Sequence, residues 1–245
     1  MSLLNLKNTL KQKLSHLGIS FFLLIFFILA QSCSDSSKEP VNTYDYLPLA
    51  VGQFQVYEVT EDVYSSGQPG PVKNVYQERD EITGVSTNAN GFATYVVSRS
   101  NRKTSSDYWT KIKEYSIEQF PDKLIFNTDN KITVPLIFPI DSKVIWNGNM
   151  YNNQDKKDYH YEDISQPLQL GSLTFDNTLS VIEQRDTTSV IDYTLSLKRY
   201  ALGVGLIYDE QTVYQYCQSS ADCIGLGIID SGSKRTRKIL DHGSF

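Results

Sequence analysis

Ile191-Asp192-Tyr193-Thr194-Leu195-Ser196-Leu197-Lys198 decides the fold class. Apolar residues fall at 191, 193, 195 and 197, with polar residues between them. A period of two is that of a strand, whose successive side chains point to opposite faces. The stretch therefore predicts one apolar face and one wet face. Ile132, Val134, Leu136 and Phe138 repeat the pattern. Pro135 lies within that run and lacks a backbone N–H, so an edge strand or a bulge is expected there. Between Phe54/Val56 and Tyr57/Val59 the apolar phase slips by one residue, which a bulge explains. Leu206 and Tyr208 open a longer run that continues through Val213 to Tyr216.

Turn chemistry separates these runs at Ser65 to Pro71, Asn90-Gly91, Asp129-Asn130, Asn147-Gly148-Asn149 and Ser231-Gly232-Ser233. Short strands so punctuated imply antiparallel pairing. No stretch joins a helical period to helix caps. The 16 tyrosines suit pleated, half-buried surfaces. The reading is all-β: a curved antiparallel sheet, either a partly closed barrel or a sandwich, because a sheet of this length must curve to bury an apolar face. No internal linker or repeat interrupts residues 44–245, which are read as a single β domain.

The N-terminus has a different character. Lys7, Lys11 and Lys13 precede the apolar run Ile19–Ala30. Twelve residues suit the core of a secretory signal and fall short of the roughly 20 that span a bilayer. Leu29-Ala30-Gln31-Ser32-Cys33 resembles the lipobox of bacterial lipoproteins. The resemblance implies a signal peptide at 1–32, cleavage before Cys33, lipid attachment on Cys33, and a membrane-anchored protein. Ser34 at the next position resembles lipoproteins of the outer membrane, facing the periplasm or the cell surface. Residues 33–43 are polar around Pro40 and read as a flexible tether.

Charge narrows the partners. The first 32 residues carry +3 and no acid, so against the chain's −5 the remainder carries −8. Such a domain gains nothing from counterion release on a phosphate backbone, which excludes nucleic acid as a partner. The three cysteines leave Cys217 and Cys223 once Cys33 carries lipid. In an oxidising envelope these two are expected to close a short disulfide loop, the alternatives being two thiols or a redox pair with unusual spacing.

Candidate chemistry is sparse. Asp158, His160 and Glu162 share one face of a strand and offer metal-ligand types, but alternation with Tyr159 and Tyr161 produces the same pattern on any solvated strand. Of three histidines, His16 is in the signal and His242 lies near the end. There is no Gly-x-Ser-x-Gly elbow. Gly203-Val204-Gly205 and Gly225-Leu226-Gly227 lack the helix and lysine of a phosphate loop. Lys234-Arg235-Thr236-Arg237-Lys238 reads as an edge strand guarded by charge. No residue is assigned to catalysis, and no cofactor or metal is expected.

Three further segments are similar to a group of uncharacterised bacterial lipoproteins: Tyr46-Leu47-Pro48-Leu49 with Gly52 to Tyr57, Ser172 to Val181, and Tyr200-Ala201-Leu202-Gly203-Val204-Gly205-Leu206-Ile207. The resemblance implies a β-rich lipoprotein domain and no activity. The expected role is a non-catalytic module that binds an envelope protein or a glycan. The alternative is a periplasmic carrier of an apolar ligand in a concave sheet, which requires an apolar cavity of several hundred Å³.

Overall fold

Period-two sequence becomes strand almost throughout. The computed structural model describes residues 43–245; the signal segment and Cys33 lie outside the described residues. A 3-10 turn, Thr43–Tyr46, is followed by β1 (Gln53–Tyr64), β2 (Val72–Thr87), β3 (Ala93–Arg102), β4 (Thr110–Gln119), β5 (Lys123–Thr128) and β6 (Lys131–Ile137). The second half comprises β7 (Ile145–Asn147), β8 (Asp158–Leu170), β9 (Leu173–Asp186), β10 (Asp192–Ala201), β11 (Gly205–Tyr216) and β12 (Ile229–Ser244). They form one antiparallel sheet in the order β6-β5-β4-β3-β2-β1-β12-β11-β10-β9-β8-β7. Two six-stranded meanders thus join where β1 pairs with β12, and the sheet curls into a nearly closed barrel.

The seam lies between the two terminal strands, β6 and β7, and is closed largely by side chains. Val134 N donates to Gly148 O at 2.9 Å, and Trp146 Nε1 donates to Val134 O at 2.7 Å. Asn152 Nδ2 donates to Ile132 O at 2.6 Å. Tyr161 Oη accepts from Ile137 N at 2.9 Å and donates to Ile137 O at 2.7 Å. The exposed edge that an open sheet would offer is thereby satisfied. Pro135 sits on this terminal strand, as its missing N–H requires. Gly148 is needed for clearance: a Cβ there would lie 2.2 Å from the Tyr159 ring.

Strand direction sorts the loops to two ends. The near end holds the 3-10 turn, the β10–β11 turn and the C-terminus. There Gly203 N donates to Asp45 O at 2.7 Å, Tyr44 Oη donates to Pro121 O, and Tyr46 and Leu47 are buried as a plug. Tyr46-Leu47-Pro48-Leu49 is therefore plug and turn, and strand begins only at Gln53. The far end holds the β1–β2, β9–β10 and β11–β12 loops, among others. The register of β1 against β12 slips between Val56 and Tyr57, the bulge expected from the phase change. Ser231-Gly232-Ser233 proves to be strand, inside β12. Gly232 adopts φ 128°, and a Cβ there would meet Val213 O at 2.1 Å. The glycine serves close strand approach instead of a turn.

Replacing Tyr161 by Phe leaves both Ile137 backbone groups without their partner at the seam. We expect a loss of about 1–3 kcal/mol in urea unfolding. An unchanged midpoint would show that the tyrosine does not hold the seam.

Candidate functional site

An eight-stranded barrel is just wide enough for side chains to fill, and diameter grows with strand number. Twelve strands enclose more space than aliphatic side chains span. The sequence fills the upper part of this interior with long charged residues. Asp80 on β2 accepts from Arg99 Nε at 2.6 Å and Nη2 at 2.8 Å, and from Arg237 Nη2 at 2.7 Å. Arg237 Nε lies 2.9 Å from Glu78 Oε2, an ion pair without hydrogen-bond alignment. Arg235 bridges Glu61 and Glu78 at 3.1 and 2.9 Å. The Arg237 guanidinium stacks 4.0 Å from the Tyr57 ring centroid, and that of Arg99 5.3 Å from Tyr115. On the opposite wall Glu183 accepts from Ser196 Oγ at 2.8 Å and from Lys198 Nζ.

Two expectations are corrected here. The basic cluster at 234–238 is not a charged edge: β12 is a central strand, and Arg235 and Arg237 point inward as counterions to Glu61, Glu78 and Asp80. The wet face of the 191–198 run does not face solvent either, because Ser196 and Lys198 turn toward Glu183. Both errors share a cause: reading polar as outward fails where the enclosed space is too wide for an apolar filling.

Pairing controls ionisation. Burial opposes the charge on Asp80, but the Arg237 and Arg99 guanidiniums overcome it and hold the carboxyl well below the usual carboxylate range. Burial likewise opposes the charge on Lys198, and Glu183 and Asp209 together raise it above the ordinary lysine value. Burial alone is the main force raising Tyr57 and Tyr115 far above the ordinary phenol.

Below this layer lies a cavity of about 230 Å³. Its lower wall is apolar, from Leu49, Ile82, Val97, Ile117 and Phe126, and its upper wall carries Asp80, Arg99, Lys198, Asp209 and Arg237. Among the described residues, Leu47-Pro48-Leu49 is the one part of the wall not built from strands. At about 230 Å³ the cavity is smaller than the several hundred Å³ expected of an apolar carrier, and polar and apolar groups share its wall.

The sequence-derived candidates separate. Cys217 and Cys223 form a disulfide, with Cα atoms 5.7 Å apart, at the base of the β11–β12 loop. Tyr159 and Tyr161 are buried while Asp158, His160 and Glu162 face outward. Glu162 is engaged by Arg185 through two 2.8 Å bonds and by His160 at 3.2 Å, and Asp158 pairs with Lys156. Gly203 and Gly205 form the β10–β11 turn. His242 is exposed on β12. The interior residues Glu78, Asp80, Arg99 and Asp209 were missed. Their signal was present in Gln77 to Glu81, where charge occupies both faces of one strand.

The far end has its own character. Tyr216 N donates to Ile191 O, Cys217 N to Ile228 O, and Ser66 Oγ to Asp230 Oδ1, each at 2.8 Å. These bonds tie the β1–β2, β9–β10 and β11–β12 loops together. Val190, Ile191, Ile224, Leu226 and Ile228 are all exposed on them, Leu226 at 69%. Exposed aliphatic side chains thus sit on loops that are tied to one another by hydrogen bonds.

No family model matches the sequence. No curated protein matches it. Among solved structures, it is similar to a crystal structure described as a "putative lipoprotein" from Parabacteroides distasonis, with a TM-score of 0.43 and 10% identity over 81% of this chain and 98% of that one.

Asp80→Asn removes the shared counterion of Arg99 and Arg237. Breaking a buried pair from one side costs about 3–5 kcal/mol. A folded-state value below the unfolded one gives stability that is full above about pH 4 and lost as pH falls through the folded value. Denaturant midpoints at pH 7 and pH 3 should therefore fall further in the wild type than in the variant. Equal falls would place the acid sensitivity elsewhere.

Proposed function

We propose that the protein is a non-catalytic outer-membrane lipoprotein, anchored through lipid on Cys33, whose β domain binds another protein through the far end of its barrel. The observation that carries this reading is the disposition of the two ends. The chain enters the domain at Thr43 on the near end, plugged by Tyr46 and Leu47, while the exposed aliphatic loops collect on the far end. A tether from Cys33 to Thr43 is about ten residues, or at most about 35 Å when extended. It keeps the near end toward the membrane and presents the far end away from it.

The chemistry of the patch favours a protein over a glycan. Its side chains are isoleucine, leucine and valine, which gain by exclusion of water, and the exposed far-end rings of Tyr108 and Tyr151 lie on other loops. Trp109 is already flanked by Arg102 at 4.2 Å and Arg79 at 5.1 Å. The disulfide and the inter-loop hydrogen bonds hold the patch in place before binding, which lowers the ordering cost of association. The Cys217–Cys223 loop is short, so its chain-entropy contribution is roughly 2 kcal/mol.

Two experiments test the reading. Cys33→Ser should release the domain from membranes or leave an uncleaved precursor, and a mature, membrane-bound variant would contradict lipid anchoring. A photo-crosslinking residue at position 226 should give a discrete protein adduct in cells, and one at Val85, exposed on the near half, should not. Adducts at 85 alone, or at neither position, would sink the far-end assignment.

A further inference from the structure

Each cation of the barrel interior is engaged by a carboxylate other than Asp209, and Asp209 keeps an oxygen that no donor reaches. Arg99, Arg235, Arg237 and Lys198 are each bonded to Asp80, Glu61, Glu78 or Glu183. Asp209 on β11 is 6% exposed and lines the cavity, yet its Oδ1 is buried with no hydrogen-bond partner. Its register neighbours are Lys198 on β10 and Arg237 on β12. Both donate elsewhere, Lys198 to Glu183 and Arg237 to Asp80. The network thus holds one more carboxylate than cation. A buried carboxylate oxygen without a donor is destabilising unless something supplies one.

What the site lacks is defined by what surrounds it. The cations that line it, Arg99, Lys198, Arg235 and Arg237, are each already engaged by Asp80, Glu61, Glu78 or Glu183. A neutral donor would satisfy the hydrogen bond and leave the charge. An ammonium satisfies both. The lower wall of Ile82, Val97, Ile117 and Phe126 then accepts a short apolar tail in the same cavity. At about 230 Å³ the space lies below the range typical of drug-sized pockets, so the tail is short and a lipid chain is excluded.

We propose that the barrel interior binds a small primary amine, its ammonium on Asp209 and its alkyl tail against Ile82, Val97 and Ile117. The site is independent of the far-end patch: it lies inside the barrel and needs no protein partner. The amine is bound and not consumed.

The test uses the mature full-length protein in detergent and three probes of equal chain length: n-hexylammonium, hexanol and hexanoate. Calorimetric titration should show saturable, one-to-one binding of hexylammonium, with hexanol weaker by about tenfold or more and hexanoate not binding. Asp209→Asn keeps the shape and removes the charge, and should abolish the preference of ammonium over alcohol. Filling the tail site by Val97→Phe should weaken both probes together. Binding of none of the three, equal binding of all three, or an ammonium preference that survives Asp209→Asn would overturn the proposal. The selectivity among probes is read on the wild type, so the proposal stands or falls even if a variant does not fold.

Discussion

The width of the barrel is the constraint on which the rest of the structure depends. Twelve strands in one curled sheet enclose a space that Leu, Ile and Val cannot fill from opposite walls. Long side chains fill it instead, and the long side chains available are tyrosines and charged residues. Burying ions is costly unless their geometry is good and their remaining bonding groups are met. The bidentate Arg99–Asp80 contact and the inward guanidinium of Arg237 meet that demand. Asp80 and Arg237 are 157 residues apart in sequence, so the same contacts that fill the interior also tie the first meander to the last strand.

Closure follows from the same geometry. A sheet with two free edges exposes unpaired backbone groups, and here the edges meet at β6 and β7. β7 is only three residues long, so backbone pairing alone cannot seal the gap. Trp146, Asn152 and Tyr161 supply the missing bonds, and the aromatic packing of Trp146 against Tyr161, with centroids 4.7 Å apart, joins the seam to the apolar core. The near end is stoppered by Tyr46 and Leu47, so the interior is apolar near the plug and ionic above it. That gradient gives the cavity its two kinds of wall, and Asp209 stands on the ionic one.

Much of the fold was legible in the sequence. Alternation at 132–138 and 191–198 gave strands, Pro135 marked a terminal strand, and the phase slip at 56/57 marked a bulge. The direction in which polar residues point was not legible. Alternation fixes that two faces differ, and only the enclosed volume decides which face looks inward; that volume depends on a strand count no local pattern contains. Lys198, Arg235 and Arg237 were misread for this reason. Ser231-Gly232-Ser233 was misread because glycine serves close strand approach as well as turns. The pairing of Cys217 with Cys223 followed from count and compartment. The far-end patch was hidden because Val190-Ile191 and Ile224 to Ile228 meet only through loop contacts between separate hairpins.

The barrel interior is thus ionic and tightly paired, while aliphatic side chains are exposed on the far loops. The paired interior is ionised in the folded state. The most direct measurement is a side-chain carboxyl carbon NMR titration of the folded, isotope-labelled protein. The Asp80 signal should keep its carboxylate shift from neutral pH down to the onset of acid unfolding. An Asp80 carboxyl that takes up its proton near pH 4, about the ordinary value, while the barrel stays folded would contradict it.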